Sequence, residues 1–271
     1  MGLPCPRSTC DSAGNRLPRR PRTVPLLANL TTLDAIALLA FLAIWVTYNT
    51  LFDGLLRRPN SINAKMIAIR EGWMIQLLRR ENRIVDATLI GHSMRSATFF
   101  ASTTILVIAG LIGVIGAGER VHGGVANLSV LLQGSSQALF ELKVFLLTSI
   151  FVYAFFKFTW AIRQFNYFSA IIGGAPDADP ASADWETARR MALILSHAIW
   201  QLNAGIRAYY FALAAFGWFV HPVFFITMTV LMTLVLVRRQ LFSATSRGIV
   251  DHVAALSLEP AQDPAKRSSE P

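Results

Sequence analysis

Apolar side chains along this chain gather into long runs almost free of charge. The first extends from about Leu33 to Phe52. At 1.5 Å per residue, about 20 residues cross a hydrocarbon core of about 30 Å. Thr31 or Thr32 is placed to cap its N-terminus, with Asp34 in the first turn, where the helix dipole favours an acid. Trp45 and Tyr48 lie towards its far end, as interfacial aromatics do. A second run spans about 97–117 and carries Ala109, Gly113 and Ala117 at steps of four, with Gly110 and Gly116 alongside. Small residues so spaced let a neighbouring helix approach closely. A third covers about 138–162 and includes Glu141, Lys143 and Lys157. The last, about 208–237, is about 45 Å long as a helix, more than a bilayer core needs, and contains Pro222. Pro222 removes a hydrogen bond to the carbonyl of Trp218, so the run reads as one long, kinked, tilted helix. A re-entrant pair of short helices around His221-Pro222 is the alternative.

Between the runs the period changes. Within the charged segment 53–95, Ile62, Met66, Ile69, Trp73 and Leu77 recur at three- and four-residue steps. That predicts an amphipathic helix lying along the membrane surface. A short Gly-containing loop with Glu119, Arg120 and His122 follows the second run, and 125–133 is mildly apolar but too short to span. A Gly/Pro/Asp-rich linker, Gly173 to Asp184, precedes another helix, capped by Ser182 or Asp184, with Trp185, Ala192, Leu195, Ile199 and Leu202 on one face. Residues 1–30 are rich in Pro and Arg and read as a disordered basic tail; 244–271 reads as a polar C-terminal tail. The expected fold is therefore an all-α integral membrane protein. Residues 31–243 form four transmembrane helices with amphipathic cytoplasmic helices between them.

Composition agrees. Only 15 % of residues are charged, against about a quarter in soluble domains. The net charge of +9 reads as membrane topology, because no nucleic-acid-binding motif accompanies it. Cys5 and Cys10 are the only cysteines and both lie in the tail, so no disulfide framework or cysteine metal site serves the membrane body. With four spans, the loops 53–96 and 163–207 share one side and carry twelve Lys and Arg, whereas the loop between the second and third spans has only Arg120. The positive-inside rule puts the long loops in the cytoplasm and both termini outside. Arg238 and Arg239 and the N-terminal arginines oppose that assignment. A re-entrant last segment would remove the first conflict, and a true start near Val24 to Leu27 the second.

Three polar stretches meet the cytoplasmic face in this topology: Glu81, Asn82, Arg83, Asp86, His92 and Arg95; Lys157, Arg163, Gln164, Asn166 and Tyr167; and Asn203, Arg207, Tyr209 and Tyr210. Asp86 is expected to pair with Arg95, Arg163 or Arg207. Two readings stay open for this cluster. One is a structural network that fixes helix register, with Lys and Arg snorkelling. The other is a basic pocket for an anion or an anionic lipid headgroup. Lys143 and Lys157 each read as snorkelling to the nearer surface, and Glu141 as solvated.

The stretches Glu81–Ser96 (ENRIVDATLIGHSMRS), Tyr153–Tyr167 (YAFFKFTWAIRQFNY) and Arg207–Pro222 (RAYYFALAAFGWFVHP) resemble domain-of-unknown-function family 599, over about Leu33 to Phe242. The resemblance implies a four-helix membrane protein, expected in a bacterial inner membrane, and brings no reaction, cofactor or catalytic residue. The histidines lack metal-ligand spacing, and no Gly-x-Ser-x-Gly or Walker loop occurs. Three functions remain: a membrane scaffold or accessory protein binding anionic lipid or a partner, a homo-oligomeric anion channel or carrier, and a membrane enzyme acting on lipid.

Overall fold

The computed structural model describes residues 31–55, 62–117, 137–175, 184–241 and 248. The basic tail, the loop around Arg120 and the stretch 125–133, nearly all of the Gly/Pro/Asp linker and most of the C-terminal tail lie outside the described residues. All described elements are helical: α1 (Thr32–Leu55), α2 (Ile62–Arg79), α3 (Ile84–Gly116), α4 (Gln137–Gly173), α5 (Trp185–Phe216), a 3₁₀ turn (Gly217–Phe219) and α6 (Pro222–Leu241). Four of them, α1, α3, α4 and α6, are long and apolar enough to cross a membrane. The chain is an integral membrane protein.

Two apolar cores are stacked along the same helices. The upper one gathers Phe41, Leu147, Ile150, Phe158, Phe211, Trp218 and Phe225. On α4 it runs from Leu139 to Phe158, about 28 Å at 1.5 Å per residue, which matches a bilayer core. Its outer surface is apolar as well, with Leu39, Phe99, Leu106, Phe145, Phe156 and Leu234 exposed, a surface suited to lipid rather than water. The lower core holds Met74, Leu77, Ile90, Ala97, Phe165, Phe168, Ala192 and Leu195. Its surface mixes exposed Ile84, Val85, Leu89 and Trp185 with charge, including Arg189–Glu71 at 3.8 Å and Arg190–Glu186 at 3.1 Å.

These layers explain where the helices exceed the apolar runs. α3 begins at Ile84 rather than near residue 97, and α4 continues to Gly173 rather than ending near 162. Beyond the upper core both keep a buried stripe, Asp86, Ile90 and Ala97 on one and Ala161, Phe165, Phe168 and Ile172 on the other. Met74, Leu77 and Leu78 are buried in the lower core, where α2 packs on α5.

The last apolar run departs most from expectation. The helix capped by Asp184 and the start of that run are one helix, α5, of 32 residues. It stops at Phe216, and Pro222 begins a new helix instead of kinking an old one. Proline fits the first helical position, where its missing N–H would have no partner anyway. The His221 ring supplies the cap, its Nδ1 accepting from the Val223 N–H at 3.2 Å. Gly217 permits the turn, because a Cβ there would lie 3.3 Å from the Phe225 Cα and 3.1 Å from the Phe224 ring. The chain then reverses. Arg239 Nη1 donates to the Tyr210 hydroxyl at 3.0 Å, whereas a straight helix would hold residues 29 positions apart at about 43 Å. A single kinked span over 208–237 is therefore replaced by a hairpin of α5 and α6, which returns Arg238 and Arg239 to the lower end.

Asp184 caps α5 as expected. It accepts from the backbone N–H groups of Glu186 and Thr187, and these bonds, with the Thr187 hydroxyl, hold its carboxyl below the usual range. A depressed carboxyl stabilises the fold fully above the unfolded pKa and stops doing so as pH falls through the folded one. Protection of the first-turn amides of α5, relative to their unstructured exchange rates at the same pH, is expected to fall below about pH 4 in the wild type and to be low already at pH 7 in Asp184→Ala. Equal exchange in the two proteins at pH 7 would dismiss the cap.

Candidate functional site

The predicted polar cluster divides among three depths. At the foot of the lower layer, Asp86 projects from the first turn of α3 and is fully buried. Its Oδ1 accepts from Trp73 Nε1 at 2.7 Å and Arg80 Nη1 at 2.8 Å; its Oδ2 is buried without a partner among the described residues. The partner is thus Arg80 from the end of α2, not Arg95, Arg163 or Arg207. α2 turns into α3 right beside Asp86, so its last arginines arrive first. Arg83 donates to the carbonyls of Leu77 at 3.3 Å and Ala175 at 3.0 Å, tying the α2–α3 turn to the end of α4. Asn82, one residue before the N-cap Arg83, accepts the Ile84 N–H at 2.9 Å. Glu81 is exposed beside it, and Glu81, Asn82, Arg83, Ile84 and Ile172 line an open cleft. This corner works as a latch between helices.

At the border between the layers lie Arg95 on α3 and Arg163 on α4, both exposed. The stacking of Phe100 on Phe158 at 5.3 Å sets the antiparallel register, and Arg95 and Arg163 each lie five residues below it, at one level. The Arg163 guanidinium sits between the rings of Trp160 and Tyr167, at 5.7 and 5.6 Å, and its Nε donates to the Tyr167 hydroxyl. Arg239, bonded to Tyr210, adds a third exposed cation with an aromatic neighbour. Asn166 and Asn203 are exposed. Lys157 is half-buried over the Tyr153 ring at 5.3 Å.

At the lower end of the upper core, Arg207 is buried and lies within electrostatic reach of Tyr48. Tyr209 faces the other way. Its hydroxyl meets Thr104 Oγ1 at 2.8 Å, and its ring packs against Phe100, Phe151 and Phe158. It reads as a core residue.

A fourth group was not anticipated. At the upper end, Asp34 is 3 % exposed and Lys143 5 % exposed. Asp34 accepts from Trp218 Nε1 at 2.8 Å and from the Thr31 hydroxyl at 2.6 Å. The Lys143 ammonium lies 5.7 Å from the Trp218 ring and 6.0 Å from that of Phe219, within electrostatic reach of Asp34. The sequence held a signal: Lys143 shares a helical face with Leu147, Ile150, Ala154 and Ala161, and Asp34 with Ala37, Phe41 and Tyr48. Both charges are enclosed in the core, not snorkelling.

Among families of known sequence pattern, the one described as "Protein of unknown function, DUF599" matches residues 36–245. No curated protein matches the chain, and no solved structure does.

Proposed function

The chain belongs to the DUF599 family, and from the placement of its charges we propose that it is a membrane scaffold or accessory protein whose basic face holds anionic lipid headgroups. The observation that carries this reading is Arg163. It faces outward just past the start of the lower core on α4, beside the rings of Trp160 and Tyr167 and level with Arg95. Aromatic rings beside a guanidinium are what a headgroup region favours, and Arg forks suit phosphate. The same end receives Arg238 and Arg239 through the hairpin, so the lower layer is the cytoplasmic one by the positive-inside rule. The membrane would be the inner membrane of a bacterial cell.

The test is native mass spectrometry of the protein released from nanodiscs of phosphatidylglycerol and phosphatidylcholine in equal parts. Phosphatidylglycerol should be enriched among retained lipids. Each basic residue near the surface is worth about 1 kcal/mol, or about fivefold, so Arg95→Gln with Arg163→Gln should lower the enrichment by more than tenfold. Retention in the proportions of the bulk bilayer would refute the proposal. The same spectra count copies, which bears on the second reading, a homo-oligomeric channel or carrier. That reading is favoured by α3, where Ala109, Gly110, Gly113 and Gly116 are exposed and open to a neighbouring helix.

A further inference from the structure

Lys157 and Arg207 differ from the basic residues just considered, because both turn inward. On α4, Tyr153, Lys157 and Gln164 follow one another at steps of four and seven, along one face. That face is turned towards α1, since the Tyr153 ring meets Trp45 edge-on at 5.5 Å. On α5, Arg207 stands one turn before Phe211, whose ring packs on Trp45 at 6.1 Å and Tyr48 at 5.7 Å. Two helices therefore direct a cation to the same aromatic seam below Trp45. Large rings separate α1 from α4 and α5 there, so the seam is built of side chains rather than of close backbones.

Its depth is equally specific. On α4 the upper core ends at Phe158, the residue after Lys157, and on α5 it begins at Ala208, the residue after Arg207. The lower core begins at Ala161 on α4 and ends at Ala198 on α5. Both cations occupy the boundary between the two cores. Below them Gln164 Oε1 is buried without a partner among the described residues. Farther down the same face of α5, Ser196 accepts from Arg70 Nη1 at 3.0 Å, and burial pulls the Arg70 guanidinium below its ordinary value. The Lys157 ammonium has a ring beneath it and no carboxylate beside it among the described residues.

We infer that Lys157 and Arg207 form a discrete site for one phosphate-bearing headgroup, with the lipid chains lying along Trp45, Tyr48 and Tyr153. The inference rests on the lipid-binding reading but is separable from it. The exposed arginines gather anionic lipid diffusely, whereas this site retains a single molecule. A phosphate diester suits it: one oxygen for the ammonium, a fork for the guanidinium.

The test uses the full chain in the same nanodiscs, released at increasing collision energy, with Lys157→Gln and Lys157→Arg beside the wild type. Wild type should keep one phosphatidylglycerol per chain after the others have left. Lys157→Gln should lose it with an affinity drop of about tenfold, as for one charge-assisted bond, and Lys157→Arg should keep it. Arg95→Gln with Arg163→Gln should strip the diffuse lipids and leave the single one. If Lys157→Gln retains the last lipid like wild type while the double variant loses it, the site is wrong and the lipid reading stands. If wild type shows no anionic preference at all, both fail. Inorganic phosphate added to the released protein is the remaining arm. Displacement of the bound lipid by millimolar phosphate would overturn the headgroup assignment in favour of a free-anion site; resistance supports it. Because Arg207 is buried and its loss endangers folding, anionic-lipid-dependent thermal stabilisation of Lys157→Gln against wild type gives an independent readout, and equal shifts count against the site.

Discussion

Asp34→Ala should destabilise the protein by about 3–5 kcal/mol, the range for removing one member of a buried charge pair. Two losses combine. The Trp218 N–H, on a fully buried ring, loses the carboxylate that accepts it at 2.8 Å, and an unsatisfied buried donor costs about 1–3 kcal/mol. Lys143, 5 % exposed over the Trp218 and Phe219 rings, loses the negative charge within its reach. Asp34→Asn separates the two, because the amide oxygen still accepts from Trp218 while the charge is gone. Lys143→Met in that background should then restore stability, since the cation left behind is what destabilises. Thermal unfolding in detergent reads all four members of this cycle. If Asp34→Ala melts with the wild type, or Lys143→Met worsens Asp34→Asn, the charges are not coupled.

Gly205 gives the other large effect. A Cβ there would overlap the Phe158 ring, 2.7 Å from Cζ and 2.8 Å from Cδ1. That ring has nowhere to go. It stacks on Phe100 at 5.3 Å and meets Tyr209 at 5.9 Å, and Tyr209 is anchored by Thr104 at 2.8 Å. Replacing a mid-helix glycine by alanine gains about 1 kcal/mol of helix propensity. Overpacking a tight core loses about 1–3 kcal/mol, and with the ring fixed on both faces the loss prevails. Gly205→Ala is expected to lower the melting temperature, and Gly205→Leu to leave no monodisperse folded protein on size exclusion. Phe158→Leu, which vacates the contact, should rescue Gly205→Ala. A Gly205→Ala protein more stable than wild type would mean that the ring moves freely.

The positions of the apolar runs were readable because an uncharged run of about 20 residues has one compatible solvent. α1 starts at Thr32 with the Thr31 hydroxyl accepting the Asp34 N–H at 3.2 Å, close to expectation. The lower halves of α3 and α4 were less readable, because each helix changes solvent midway while its backbone continues unbroken. The α5–α6 reversal hid in a run with no Asp, Glu, Lys or Arg. Gly217 and His221-Pro222 fit a kink as well as a turn until the Tyr210–Arg239 bond separates them. In the polar cluster, loop charge counting assigned a side but neither a depth nor a rotation about the helix axis. Asp86, Arg163 and Arg207 were accordingly grouped together, though one is latched in the lower layer, one faces outward and one faces a seam.

α3, α4 and α5 pass from the upper core into the lower one without a break. They behave as stiff rods held in two sleeves, one of lipid and one of protein. When a bilayer thins or thickens, such rods adjust by tilting. The lower sleeve extends about 16 Å along α4, from Ala161 to Ile172, so a tilt of about 10° carries its far end sideways by about 3 Å. The latch of Arg80, Asp86 and Arg83 lies at that far end, so any change of tilt displaces it more than the rest of the lower sleeve.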